Sequence, residues 1–417
     1  MSIQEYFKLF RLKSLIFLIL SGTFSQFGDR LTHMLLITLV GLSAPGKVSA
    51  FSWAQLTFTL PVVLFSPLIG ILVDSWSRRK VMIWAHVSQA FILSLTPFLI
   101  SLAGSYLPFW IIITLFFTID IFNNTAKPAL MPSLVAPRKL LSVNSLDQFL
   151  ARFATVAGMV LGGILVQKFG WRLGFIINAL MHFSAGMLVL GISAQVEQRS
   201  YHRTCARLIS YQTIFGRIIF DLKELISVIR SNKIIALVLS SFVVTTVIAS
   251  VSYTILIFLV QQVLNWGTAG VGLTSGILAL GMILGSLPLG LFKPRISKFF
   301  LITIGFFLYG LLFAIGPLVI SRAFIIIVAL GGGFIFSIIA VAQNTIIQEK
   351  VNANIRGRLF AIKDFLGNIA FMITALVIGF ISDITSYKIT LSAIGLCLLL
   401  VSLVYFSSAP KQLTKED

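Results

Sequence analysis

Charged and titratable side chains stand inside long apolar runs of this chain, where water cannot reach them. Asp29 and Arg30 lie within the run 14–41, with His33 one turn further on; Asp120 lies midway through 107–130, ahead of Asn123 and Asn124; Asp147 and Arg152 fall in 142–167. Charge inside such a run is expensive and marks a functional site by default. A carboxyl shielded from water can take up and release a proton near neutral pH, unless a guanidinium beside it keeps it ionised. Asp29 and Asp120 are therefore the candidate reversible proton carriers. A permanent ion pair is the competing reading for each. Adjacent helical residues point about 100° apart, so Arg30 does not face Asp29, and Arg152 is the better placed partner. His33 has the chemistry of a proton relay and equally that of a hydrogen-bonded packing residue. The second half of the chain offers mostly neutral polar groups in its apolar runs: Tyr253, Gln261, Gln262, Gln343, Asn344 and Asn368. With Gln26, Asn123 and Asn124, five of these (Tyr253, Gln261, Gln343, Asn344 and Asn368) are the expected lining of a small-molecule cavity. Protons would then be handled by the first half, while the second supplies an amphipathic wall.

The elements that must carry these groups follow from composition. Of 417 residues, 58% are hydrophobic and 11% charged, and the mean hydropathy is +1.00. Soluble domains carry about 25% charged residues, so this chain belongs in a bilayer. Runs of roughly 20 apolar residues can be marked near 14–41, 48–73, 80–103, 107–130, 142–167, 171–194, 233–261, 268–292, 298–320, 322–348, 358–382 and 387–407. The reading is an all-α integral membrane protein of about twelve helices. The continuous runs exclude a β-barrel, whose strands alternate. The chain divides into a six-helix bundle over 1–194, a linker over 195–232 and a second six-helix bundle over 233–417. In the linker, Ile214, Ile218, Leu222 and Leu225 share one face of an amphipathic stretch from Thr213 to Val228, and its bases suit anionic lipid headgroups.

Formal net charge is +19 and the sequence pI about 10.3, but the placement of the bases argues against a nucleic-acid partner. With the N-terminus, the even-numbered connections and the C-terminus assigned to the cytoplasm, about 25 of the 32 Lys and Arg residues collect on that side. Both termini are thereby expected inside, in the cytoplasmic (inner) membrane. The apolar run after Lys8, Arg11 and Lys13 continues past Asp29 as a long helix, unlike a cleaved leader. Cys205 and Cys397 are too isolated for a disulfide framework or metal motif, and no HExxH, phosphate-binding loop or Cys-x-x-Cys occurs. No enzyme chemistry, cofactor or metal is expected, leaving the proton gradient as the energy source.

The polar gap GILVDSWSRRK, Gly70 to Lys80, places one acid and three adjacent bases between two apolar runs. Gly70, Asp74, Arg78, Arg79 and Lys80 resemble the signature loop of the major facilitator superfamily, with Ser77 where that family usually has glycine. Gly290, Lys293, Arg295 and Lys298 resemble a second copy of the loop without its acid. The segments from Ala136 and Ala353 also align at one offset, which joins Asp147 to Asp364 and Gly162 to Gly379. Duplicated six-helix halves with a site between them are the arrangement of that superfamily. The resemblance implies that Asp74 meets a helix N-terminus near Gly357 to close the cytoplasmic side. It also implies that Arg78 and Lys80 order the loop, and that Asp147 or Asp364 pairs with such bases.

The segment AGMVLGGILVQKFGWRLGFIINAL from Ala157 resembles the antiporter motif of facilitator exporters, with Met159 in place of its proline. Gly158, Gly162 and Gly163 there would let helices approach closely. FSQFGDR and NNTAKPALMPSLV resemble the branch of macrolide-efflux proteins and enterobactin-type siderophore exporters, with lysophospholipid flippases and bacterial ferroportins more distant. Where drug exporters of the family often carry an arginine early in the fourth helix, this chain has Asp120. The resemblance implies a secondary active transporter acting as a single chain among membrane lipids, and a proton-coupled exporter of small amphipathic molecules such as drugs or siderophores. A lysophospholipid flippase or an importer of the same fold is the alternative, and a non-transporting membrane sensor the alternative of another class.

Overall fold

The computed structural model describes residues 12–136, 139–193, 233–292, 297–350 and 353–408. Every regular element among them is a helix, as the composition predicts. In chain order these are α1 (Lys13–Ser43), α2 (Val48–Ser75), α3 (Arg78–Ala103), α4 (Leu107–Leu134), α5 (Leu140–Leu190), α6 (Lys233–Phe258), α7 (Gly267–Phe292), α8 (Lys298–Ile315), α9 (Arg322–Lys350), α10 (Ala353–Ile384) and α11 (Tyr387–Ser408). Ten helices among the described residues are long and apolar enough to cross a membrane. Helix α1, with its Asp29 and Arg30, is not one of them. The amphipathic stretch Thr213–Val228 lies outside the described residues, as do Lys293 and Arg295.

Two expected spans, 142–167 and 171–194, are carried on the single 51-residue element α5. The break between its arms is one residue, Gly170, with φ 81° and ψ 161°. This region is open essentially to glycine alone, so the chain turns there without a connecting loop. Outward faces are greasy: Phe91, Phe98, Leu102, Ile111, Leu400 and Phe406 are all exposed, as lipid-facing side chains must be.

The helices form two packed units. One is drawn from Met1–Ser43, Leu56–Leu208 and Gly267–Leu273, and the other from Ala44–Gln55, Ile209–Trp266 and Thr274–Asp417. In the first, an apolar core joins Leu15 and Leu18 of α1, Val73 of α2, Met82 of α3, Leu130 of α4, and Val143 and Val189 of α5. The opening turn of α7 belongs to this unit because glycines face one another. A Cβ on Gly272 would lie 2.3 Å from the Met159 carbonyl, and one on Gly163 would lie 2.7 Å from the Thr268 carbonyl. Thr38 and Thr268 share a hydroxyl hydrogen bond of 2.6 Å, and the Gln167 side chain accepts from Ala269 N–H at 2.7 Å.

The second unit contains the opening turns of α2, whose N-terminus is capped from far along the sequence. Asp383, in α10, accepts from Val48 N–H at 2.7 Å, from Ser49 N–H at 3.4 Å and from the Ser49 hydroxyl. An anion there satisfies orphan donors and meets the positive end of the helix dipole. Gln55 of α2 donates to Thr254 of α6. Gln343 of α9 is fully buried and donates to Ser241 and Thr245 of α6 at 2.9 and 2.8 Å.

Two stability predictions follow from these contacts. Asp383→Ala removes the cap of α2 and is expected to cost about 1 kcal/mol, seen as a lower midpoint in a thermal scan of the detergent-purified protein. Lys127 and Asp147, each 13% exposed, pair at 2.6 Å between α4 and α5. Lys127→Met alone leaves a buried carboxylate unpaired and is expected to cost about 3 kcal/mol, most of which Asp147→Leu in the same chain should restore. The same scan on both singles and the double checks this.

Candidate functional site

A polar seam runs through the apolar interior of the first unit. On α1, Asp29 is only 5% exposed, and its neighbour on the second arm of α5 is His182, fully buried. His182 Nε2 stands 3.8 Å from Asp29 Oδ1. The imidazole gets this close because residue 28 is glycine: a Cβ there would lie 2.7 Å from His182 Nε2. Phe116 of α4 meets the same ring edge-on at 5.1 Å. His86 of α3, also fully buried, has its ring centroid 6.0 Å from that of His182. One turn along α3, Gln89 donates to Asp120 Oδ1 at 3.4 Å, and Asn124 donates to Asp120 Oδ2 at 2.6 Å. Gln26 reaches Asp29 Oδ2 at 3.5 Å, and Asn178 donates to Thr32 at 2.6 Å. Four helices thus bring two acids and two imidazoles into one water-poor region.

His86, His182, Gln89 and Asn178 are not among the residues singled out by sequence. A signal was there: three of the chain's four histidines, residues 33, 86 and 182, fall inside apolar runs. A search for formal charge passes over a side chain that is neutral at pH 7.

The expected partner of Asp29, Arg152, is exposed on α5 and forms no ion pair with it; the ionic neighbour of Asp29 is His182. Arg30 sets its Cβ against α5, where a Cβ on Gly158 would lie 2.8 Å from it. Gly162 faces Leu31 of α1. The ring of His33 stands between Phe58 and Phe117, with centroids 5.1 and 5.0 Å away. Asn123 is buried and donates to Ser25 at 3.3 Å, so it serves the α1–α4 contact rather than an open surface.

In the second unit, Gln343 is committed to α6 and Tyr253 packs edge-on against Phe371 at 6.3 Å. Asn344 is half-buried on α9, and Asn368 donates to the Asp364 carbonyl at 2.9 Å. Gln261 lies on the π turn Leu259–Val263 that ends α6; such turns interrupt helices most often at functional positions. This unit also contains an apolar recess between α6, α8 and α9, walled by residues such as Val251, Ile255, Phe313 and Phe324. Tyr309 in its wall turns its hydroxyl to the Gly332 carbonyl at 2.6 Å. None of the predicted cavity residues lines this recess.

The loop from Gly70 to Lys80 is a set of helix-end contacts. Ser77 caps α3, its hydroxyl accepting from Lys80 N–H at 3.3 Å, so the residue that replaces the usual glycine satisfies an orphan donor. Arg78 donates to the Ala129 carbonyl of α4 at 3.1 Å, and Arg79 to the Leu190 carbonyl that ends α5 at 2.8 Å. A cation on the last carbonyls of a helix is favourable. Lys80 is exposed and Gly70 has open space where a Cβ would project. The side chain of Asp74 lies outside the described residues. Asp147 pairs with Lys127 of α4 and Asp364 with its neighbour Lys363 at 3.1 Å, instead of with the loop bases.

Comparison with known proteins agrees with this architecture. The family model described as Major Facilitator Superfamily matches residues 16–375. Macrolide efflux protein A of Streptococcus pyogenes is 24% identical over 346 residues, spanning 81% of this chain and 82% of that protein. Macrolide efflux protein A of Enterococcus faecalis is 25% identical over 333 residues, spanning 78% of this chain and 98% of that one. Among solved structures, a bacterial homologue of the iron transporter ferroportin in its inward-facing state superposes with a TM-score of 0.72 at 16% identity, covering 96% of this chain and all of that one. The nucleoside transporter NupG does so with a TM-score of 0.67 at 13% identity, covering 95% and 98%. With the helical membrane-spanning architecture and a family match over most of its length, this chain belongs to the Major Facilitator Superfamily, a family of transporters and not of enzymes.

Proposed function

We propose that this protein exports small amphipathic molecules, macrolide-like compounds or siderophores among them, across the cytoplasmic membrane in exchange for protons. The observation that carries the reading is Asp29: a carboxyl 5% exposed inside a membrane-spanning bundle, whose contact at ion-pair distance is an imidazole, with the Arg30 charge acting on it from further off. A carboxyl fixed to an arginine stays ionised and merely fastens helices. One facing a histidine can change its charge, and Asp120, half-buried and held by the side-chain amides of Gln89 and Asn124, is the second acid of the seam. Cargo and proton would compete at these acids as the cavity opens alternately to either side. The export direction is supported by the macrolide-efflux relatives, and the preference for amphipathic cargo by the neutral polar and aromatic character of the second half.

Counting both arms of α5, and α1 with its buried acid, brings the crossings to twelve, in halves 1–194 and 233–417 joined by 195–232. Arg78, Arg79, Lys80, Lys139, Lys298 and Lys350 all stand at turns on one side of such a path, the side the positive-inside rule assigns to the cytoplasm. In this reading the halves act as a single chain, with the loop from Gly70 to Lys80 closing the cytoplasmic side.

Two measurements test the proposal. Small molecules and lipids inside and outside cells are compared with and without the gene: a compound retained by the deletion strain means export and names the cargo, while one left outside, or a lysolipid imbalance, means import or flipping and overturns the direction. Asp29→Asn and Asp120→Asn are each expected to raise retention of a radiolabelled macrolide to that of cells lacking the gene. Unchanged efflux in both variants would remove the acids from the mechanism.

A further inference from the structure

We propose that His182 and His86 form a proton relay that joins the deeply buried Asp29 to the half-buried Asp120. The proposal rests on the reading of these two acids as the proton carriers and adds the path between them. Asp29 is 5% exposed and enclosed by α1 and the second arm of α5, so it needs a conductor if it is to exchange protons. The groups available along the seam are an imidazole at 3.8 Å, a second imidazole 6.0 Å further between centroids, and an acid held by the amide one turn along the helix from that second ring. An imidazole conducts by accepting a proton on one nitrogen and releasing one from the other. His182 presents Nε2 to Asp29, which leaves Nδ1 for the exchange with His86. In the inward step the proton leaves Asp120, is carried by His86 and then His182, and ends on Asp29 Oδ1. Asp120 is left as carboxylate, both rings return to neutral, and no electrons change hands.

The surroundings suit a relay better than a structural ion pair. His182 and His86 are both fully buried, and beyond the side-chain interaction of His86 with Gln89 their ring nitrogens have no partner within hydrogen-bond distance. Buried polar atoms are otherwise nearly always satisfied, and a histidine kept only for packing is normally among them. The charged groups on the elements that pack here are accounted for. On α1, Arg30 sets its Cβ against Gly158 while its charge acts on Asp29, Asp120 and His33, and His33 is held between Phe58 and Phe117. On α4, Asp120 is held by Gln89 and Asn124, and Lys127 is paired with Asp147 of α5. Asp29 and Asp120 are thus the acids placed to exchange with the imidazole pair. Gly28 and Gly186 keep the second arm of α5 close enough: a Cβ on Gly186 would lie 3.3 Å from His86 Cβ, as one on Gly28 would crowd His182.

The test follows the carboxyl C=O infrared band of the full-length protein in lipid nanodiscs after a rapid pH jump. Asp29→Asn and Asp120→Asn assign each acid's share of the signal. In His182→Gln and His86→Gln, which keep polarity and approximate volume but cannot shuttle a proton, Asp29 is expected to protonate on the order of 100-fold more slowly. Its final extent and the rate at Asp120 should stay unchanged. A purely structural role would move the extent and leave no selective delay. Asp29 protonating at the wild-type rate in both histidine variants would overturn the relay while leaving the two carriers intact. If neither Asn variant removes any of the signal, the acids do not titrate, and the carrier reading falls together with the path.

Discussion

The bilayer offers no water to a charge, so every ionised or strongly polar group in this chain must find its counterpart inside the protein. That constraint orders the structure. Lys127 and Asp147 meet between α4 and α5 at 2.6 Å. Arg78 and Arg79 stand at the start of α3 and reach the carbonyls of two other helices. Asp383 satisfies the first donors of a helix more than three hundred residues earlier in the chain. Each contact closes a backbone or charge requirement that lipid cannot meet, and each thereby fixes which helices are neighbours. Between Asp29 and His182 the contact is longer, at 3.8 Å.

Helix contact in lipid draws little from hydrophobic burial, because the tails are as apolar as leucine. Close packing must come from small residues. Gly163 and Gly272 let α5 and the start of α7 touch backbone to backbone, and Gly281, Gly285 and Gly333 do the same between α7 and α9. Gly28 serves the site directly, since any side chain there would expel His182 from Asp29. The glycine is as much a part of the candidate proton path as the acids.

Much of the fold was legible in the sequence because membrane spans announce themselves by length: a run of about twenty apolar residues has few other uses. The loop from Gly70 to Lys80 was legible for the same reason, as a polar break between two such runs, and Asp29 and Asp120 because charge in an apolar run is conspicuous. What was not legible depends on chain parts meeting in space. The runs 142–167 and 171–194 read as two separate spans, whereas the positive φ of Gly170 between them lets α5 carry both as two arms. Arg152 seemed the natural partner of Asp29, but on α5 it is exposed and His182 takes that position. Gln343 and Asn123 read as cavity residues and turn out to be committed to the helices beside them. Polar side chains in a membrane serve packing as readily as cargo, and sequence alone cannot say which hydroxyl lies opposite.

In the proposed mechanism, transport is tied to proton movement through the first unit. The most direct measurement uses the wild-type protein reconstituted in sealed vesicles, following a radiolabelled macrolide with and without an imposed pH gradient. Accumulation against the macrolide's own gradient that stops when an ionophore collapses the pH difference is the predicted result. Accumulation that persists after the pH difference is gone would contradict proton exchange as the driving force.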